Sequence, residues 1–221
     1  MAELFKHIYW ADIGQACLET LSMLGAALGF TVLLGLPLGV LLFLTGKHQL
    51  HEARVVYRLL SVVVNVLRSL PFIILLIVLI PLTTLLVGTS LGVPGTIPPL
   101  VVSCTPFFAR LVETALREVD RGVVEATQSM GASTWQVIRH TLLPEARAGL
   151  LAAVTVTAIV LVDYTAMAGV IGGGGLGDLA IRYGYQRFQT DVMVVTVLLL
   201  LVLVQALQMT GDRLVARYSR R

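Results

Sequence analysis

Residues 125–146 read EATQSMGASTWQVIRHTLLPEA, near the middle of a chain that is 57% hydrophobic and only 13% charged. Glu125, Arg139, His140 and Glu145 fall here with Gln, Ser and Thr between them, while Gly131 and Pro144 stand where helices stop. One long polar stretch in so apolar a chain belongs where there is water. Its surroundings belong elsewhere: the mean hydropathy is +0.87, and apolar runs long enough to cross a bilayer recur along the 221 residues. The pattern predicts an all-α polytopic membrane protein with five transmembrane helices, at about 18–44, 68–87, 91–109, 148–171 and 192–209. Pro94, Pro98, Pro99 and Pro106 interrupt the third, which a spanning helix tolerates when neighbours satisfy the freed carbonyls.

Charge orients these spans. Lys47, Arg54 and Arg58, then Arg110, Arg117, Arg121, Arg139 and Arg147, then Arg213, Arg217, Arg220 and Arg221 place twelve cations in connections on one side. Lys6, Arg182 and Arg187 leave three on the other, with Arg68 at the mouth of the second span. By the positive-inside rule the N-terminus is outside, and the C-terminus and residues 125–146 are cytoplasmic. The first apolar run is too long for a signal peptide, so it reads as a retained helix. The expected organisation is a single transmembrane domain over 1–221, with a cytoplasmic loop at 110–147.

A net charge of +3 and a pI near 9.1 speak for membrane orientation and not for nucleic acid. Cys17 and Cys104 lie in or beside apolar runs and read as small core residues. His48 and His51 form HxxH in a short basic loop, which reads as solvated, so no metal site is expected. Gly25 and Gly29, and Gly35 and Gly39, have four-residue spacing that suits either packing within the chain or a homodimer seam.

Within the polar loop, the third span continues as helix to about Glu118. Asp120 is placed to cap the next helix, and Gly131 to end it in the left-handed region. Ser133 and Gln136 form the capping box S-x-x-Q. Trp135, Ile138 and Leu142 then share one helical face, and Pro144 blocks continuation. Such a short amphipathic helix could rest on lipid. With Arg139 as its one Lys/Arg residue it better suits a groove in a partner protein.

The order Glu125-Ala126, Gly131, Leu143-Pro144 resembles the EAA loop of ABC importer permeases, with Thr127 in place of the second Ala and Thr141 in place of an Ile. RSLPFIILLIVLIP at 68–81, VIGGGGLGDLAIRYGYQRF at 170–188 and GDRLVARY at 211–218 resemble the methionine-importing branch of that family. The resemblance implies a type I permease fold in a bacterial cytoplasmic (inner) membrane. It also implies a homodimer, two ABC ATPase subunits beneath it and an external substrate-binding protein. The substrate would be methionine; another small amino acid or related solute is the alternative. ATP and Mg²⁺ would belong to the ATPase, since this chain is no enzyme and carries no G-x-x-x-x-G-K-[ST]. ATPase coupling would fall to Glu125, Ala126, Gly131, Trp135, Ile138, Leu143 and Pro144.

Asp163 lies inside the fourth span, where a carboxylate is expensive and invites a functional reading. It could meet a substrate amino group, pair with a neighbouring helix or face a wet gap; Tyr164, Thr165 and Met167 are further pathway residues, or ordinary packing. The single intramembrane carboxylate also keeps an ion-coupled secondary transporter as a rival. GGGGLG at 172–177 matches a dinucleotide fingerprint but follows a membrane span, so it reads as a flexible turn. Tyr183, Tyr185, Arg187 and Phe188 beside it suit a docking surface or an interfacial aromatic belt.

Overall fold

The computed structural model describes residues 9–47 and 49–219, and its regular elements are helices. Four are long and apolar enough to cross a membrane: α1 (Trp10–Thr45), α5 (Gly92–Arg117), α9 (Arg147–Ala168) with its 3₁₀ extension to Ile171, and α11 (Thr190–Ser219). Three of them contain an expected span, and α5 begins one residue inside the expected 91–109. Between α1 and α5 lie α2 (Arg54–Ser69), α3 (Phe72–Val78) and α4 (Ile80–Val87).

The expected second span is therefore not one helix. Pro71 is extended (φ −57°, ψ 135°) and separates α2 from α3. Pro81 lies at the start of α4, where its missing N–H costs least, and Gly88 (φ 80°) ends that helix. Arg54 and Arg58, expected in a loop, sit on α2. Together α2 and α3 meet the length and hydropathy of a fifth span, broken at Leu70–Pro71.

The helices form two compact units. Among the described residues, one comprises 9–30, 70–104 and 158–208. Its core joins Met23, Leu24 and Ala27 of α1 to Phe72 and Leu76 of α3, Leu100 and Cys104 of α5, and Leu161 and Val162 of α9. The other comprises 31–47, 49–69, 105–157 and 209–219. There Phe43 of α1 packs with Phe108, Val112 and Leu116 of α5, and with Val137, Ile138 and Leu142 of the polar loop.

In lipid, excluding water contributes little to helix association, so close fit has to supply it. A Cβ on Gly35 would lie 2.8 Å from Phe108 Cδ1, and one on Gly39 2.6 Å from the Ala109 carbonyl of α5. That glycine pair serves packing within the chain. Gly25 and Gly29 have no such neighbour within 4 Å. Both cysteines are free. His48 of the HxxH lies outside the described residues, His51 is exposed, and no metal-binding cluster occurs among the described residues.

Candidate functional site

The polar loop folds into α6 (Arg121–Ser129), a turn, α7 (Thr134–Val137), a π-helical turn (Ile138–Leu142) and α8 (Leu143–Glu145). Asp120 starts α6 by accepting the Gly122 N–H at 2.6 Å. At its end the Gly131 N–H reaches the Gln128 carbonyl (2.8 Å) and the Ala132 N–H reaches that of Thr127 (3.4 Å). This is a Schellman ending, and Gly131 holds φ 81°, the left-handed conformation that glycine adopts without penalty. Ser133 N–H then donates to Gln136 Oε1 (2.7 Å), and Gln136 N–H donates to Ser133 Oγ (3.4 Å), completing the capping box.

Two sequence expectations need correction. Trp135 does not share a face with Ile138 and Leu142: it is 66% exposed while they are 6% and 1% exposed. Val137 and Thr141 are buried too, which swings the inward face about a quarter turn away from Trp135. Nor does Pro144 stop the chain. The wider π turn precedes it, the Ala146 N–H bonds back to the Leu142 carbonyl (3.0 Å), and α9 follows at once. A π bulge relieves the crowding that a proline ring imposes on the preceding turn.

Glu125, Ala126, Gly131 and Trp135 face outward. Leu143 and Pro144 are half-buried at the base. Ile138 lies in the core. Met130, 79% exposed beside Gly131, escaped the sequence reading; a large apolar residue at the end of a polar helix was the signal. Glu125 also lines a cavity of about 450 Å³ with Gln128, Arg117 and Arg121.

The two departures from the EAA pattern touch each other, since Thr127 Oγ1 and Thr141 Oγ1 are 3.1 Å apart. Thr127 already donates its hydroxyl proton to the Val123 carbonyl at 2.8 Å. Thr141 is therefore the donor between them. The bond ties α6 to the π turn where the usual pattern has two apolar side chains.

Behind the loop is a charge cluster that sequence reading missed. Glu113 is 3% exposed and accepts from Arg110 (2.6 Å), Arg117 (2.7 Å) and the Tyr57 hydroxyl (3.1 Å). Arg110 continues to Ser61 Oγ (2.6 Å) and Asn65 Oδ1 (3.1 Å). These bonds fasten α2 to α5. The spacing Arg-x-x-Glu-x-x-x-Arg along one helical face was the available signal.

The four residues of α9 expected to line a pathway are not gathered at one point. Asp163 is exposed and lines a cavity of about 220 Å³ with Ala166, Leu200 and Gln205. Tyr164 stacks on Phe72 with ring centroids 4.4 Å apart. Thr165 is buried and donates to the Val162 carbonyl at 2.7 Å, and Met167 is exposed.

The glycine run is not a flexible turn. Gly175 N–H donates to Glu19 Oε2 (2.8 Å) and Leu176 N–H to Thr20 Oγ1 (2.9 Å), which fixes the start of α10 (Gly175–Leu179) against α1. Beyond it Arg182 pairs with Asp178, and the Arg187 guanidinium lies 4.4 Å from the Tyr183 ring centre. Phe188 is held at φ 56°, with 86% of its surface exposed.

Residues 21–221 match the model of the binding-protein-dependent transport system inner membrane component family. The chain belongs to that family. A "Probable D-methionine transport system permease protein" of Vibrio cholerae is 51% identical over 203 residues, 92% of this chain and 90% of that protein. A "Methionine import system permease protein" of Bacillus subtilis is 45% identical, covering 94% of each. Among solved structures, an inward-facing conformation of the MetNI methionine ABC transporter superposes with a TM-score of 0.94 at 44% identity, over 96% of this chain and 98% of that one. An amino acid ABC transporter crystallised with histidines shares the fold, with a TM-score of 0.77 at 19% identity.

Proposed function

We propose that this chain is the permease subunit of an ATP-driven methionine importer in a bacterial inner membrane. What carries the reading is likeness along the whole chain, since relatives named for methionine transport match over nine-tenths of its length. Two copies form the pathway, two ABC ATPase subunits sit on the cytoplasmic side, and a substrate-binding protein delivers from outside. ATP and Mg²⁺ are handled by the ATPase. The chain crosses the membrane five times, the second time through the broken α2–α3 segment, with the N-terminus outside. The twelve-to-three distribution of Lys and Arg supports that orientation.

The segment from Glu125 to Pro144 couples the two kinds of subunit. Gly131 sets the elbow, and Trp135 presents a large apolar side chain to a cleft of the ATPase. Glu125 and Ala126 offer polar and close backbone contacts from α6. Ile138, Leu143 and Pro144 act from within, anchoring the elbow to the core so that a push on Trp135 moves the helices behind it. ATPase closure then switches the pathway as a rigid-body movement. Asp163, with Tyr164, Thr165 and Met167, marks the proposed pathway segment, and its carboxylate is the group facing a cavity.

The test is uptake of labelled L-methionine into proteoliposomes that hold this chain, its ATPase and the matching binding protein. ATP-dependent uptake that excess unlabelled methionine abolishes is expected. ATPase stimulation without methionine movement would reassign the substrate to another small amino acid. Uptake that an ionophore abolishes at constant internal ATP would overturn the ATP-driven reading.

A further inference from the structure

Helix α2 carries a feature that neither the coupling segment nor the pathway uses. Apart from its last residue, Ser69, its polar residues Arg54, Tyr57, Arg58, Ser61, Asn65 and Arg68 fall at i, i+3, i+4, i+7, i+11 and i+14, a single stripe. Val64 packs inward against Leu42 and Ala109, but a second face is apolar and uncovered: Val55, Leu59, Val62, Val63 and Val66 are each more than half exposed. Where the stripe meets the end of α1 there is a cavity of about 410 Å³, lined by Lys47, Arg54, Arg58, Tyr57, Ser61 and Val62 among others. Three cations line it, and among the described residues no carboxylate does. Arg54 is paired with Glu52 at 2.6 Å, whereas Lys47 and Arg58 have no carboxylate partner among the described residues. The polar floor is already oriented. Tyr57 gives its hydroxyl proton to Glu113, and Ser61 Oγ accepts from Arg110.

We propose that this cavity binds the headgroup of an anionic phospholipid, with an acyl chain lying along the exposed valines and leucine of α2. Charge complementarity selects an anion. The adjoining apolar face in a membrane-embedded chain selects one that carries hydrocarbon over a free phosphate. A zwitterionic lipid brings its own cation to Lys47 and Arg58 and loses the advantage. The proposal is independent of which solute the transporter moves.

The test uses the full-length chain in complex with its ATPase, purified in mild detergent. Native mass spectrometry reads retained lipid, with phosphatidylglycerol, phosphatidylcholine and glycerol 1-phosphate added in turn. Phosphatidylglycerol should be retained selectively. The Lys47→Gln and Arg58→Gln variants should each weaken retention about fivefold, the effect of one cation near an anionic surface. Arg58→Lys should restore it, which excludes misfolding as the cause of loss. Arg213→Gln on α11 should leave retention unchanged. Equal retention by wild type and both Gln variants, equal binding of phosphatidylcholine, or occupancy by glycerol 1-phosphate alone would each overturn the proposal. So would a crosslink from position 62 to a second copy or to the ATPase, which would place protein on this face.

Discussion

Gly131 and the glycines at 173–177 are the same residue type solving opposite problems. Gly131 has φ 81° and no heavy atom within 4 Å of where a Cβ would stand. It is needed for backbone conformation alone, at an elbow with open space around it. Gly174 and Gly175 have nearly the same φ, 81° and 77°, but a Cβ on Gly175 would lie 2.6 Å from Thr20 Oγ1. On Gly177 it would meet the Ala166 backbone at 2.5 Å, with no positive φ involved. A glycine in an open elbow shapes a surface that something else can engage. A glycine pressed against backbone closes an interface inside the chain.

Substitutions should separate the two kinds. Gly177→Val should have the largest effect, since the atoms it meets are backbone and cannot swing aside. A loss of about 3 kcal/mol is expected, read as a lower unfolding midpoint in detergent and reduced membrane yield. A stable Gly177→Val protein would dissolve the contrast. Glu113→Ala should come next, at about 3 kcal/mol or a little less. It leaves two guanidinium groups without their carboxylate, and Arg117, with a side chain 39% exposed, is partly rescued by solvent.

Gly131→Ala should cost only about 1–2 kcal/mol, the penalty of an L-residue in the left-handed region. It should nonetheless uncouple ATP hydrolysis from uptake while leaving the protein in the membrane. Trp135→Ala should leave stability within about 0.5 kcal/mol, as for other exposed positions, and impair uptake through the ATPase. Unimpaired transport by both variants would remove the elbow from the mechanism. The smallest effect on transport is expected from the Thr127–Thr141 bond. A double-mutant cycle with Thr127→Ala and Thr141→Val should return a coupling of about 0.5–1.5 kcal/mol.

What could be read in the sequence is what short-range chemistry controls. The Asp120 cap, the left-handed Gly131 and the Ser133–Gln136 box depend on groups within a few residues of one another, and each forms as its spacing implies. Hydropathy likewise located the four long helices, because a bilayer imposes length and composition on any segment that crosses it. The EAA-like spacing pointed to the family for the same reason: one local elbow demands those residues at those intervals.

Tertiary structure decided the rest. Glu19 and Thr20 cap a backbone 156 residues away, so the glycine run looked flexible until α1 was beside it. Trp135 and Ile138 looked equivalent on a helical wheel, yet the inward face was set by Val137 and Thr141, and only a packed neighbour defines which face is inward. The π turn carried the chain through Pro144, where the residue alone argued for a stop. Local preference proposes where a helix can begin and bend, but contacts between distant segments choose which surface is buried and which is left for a partner.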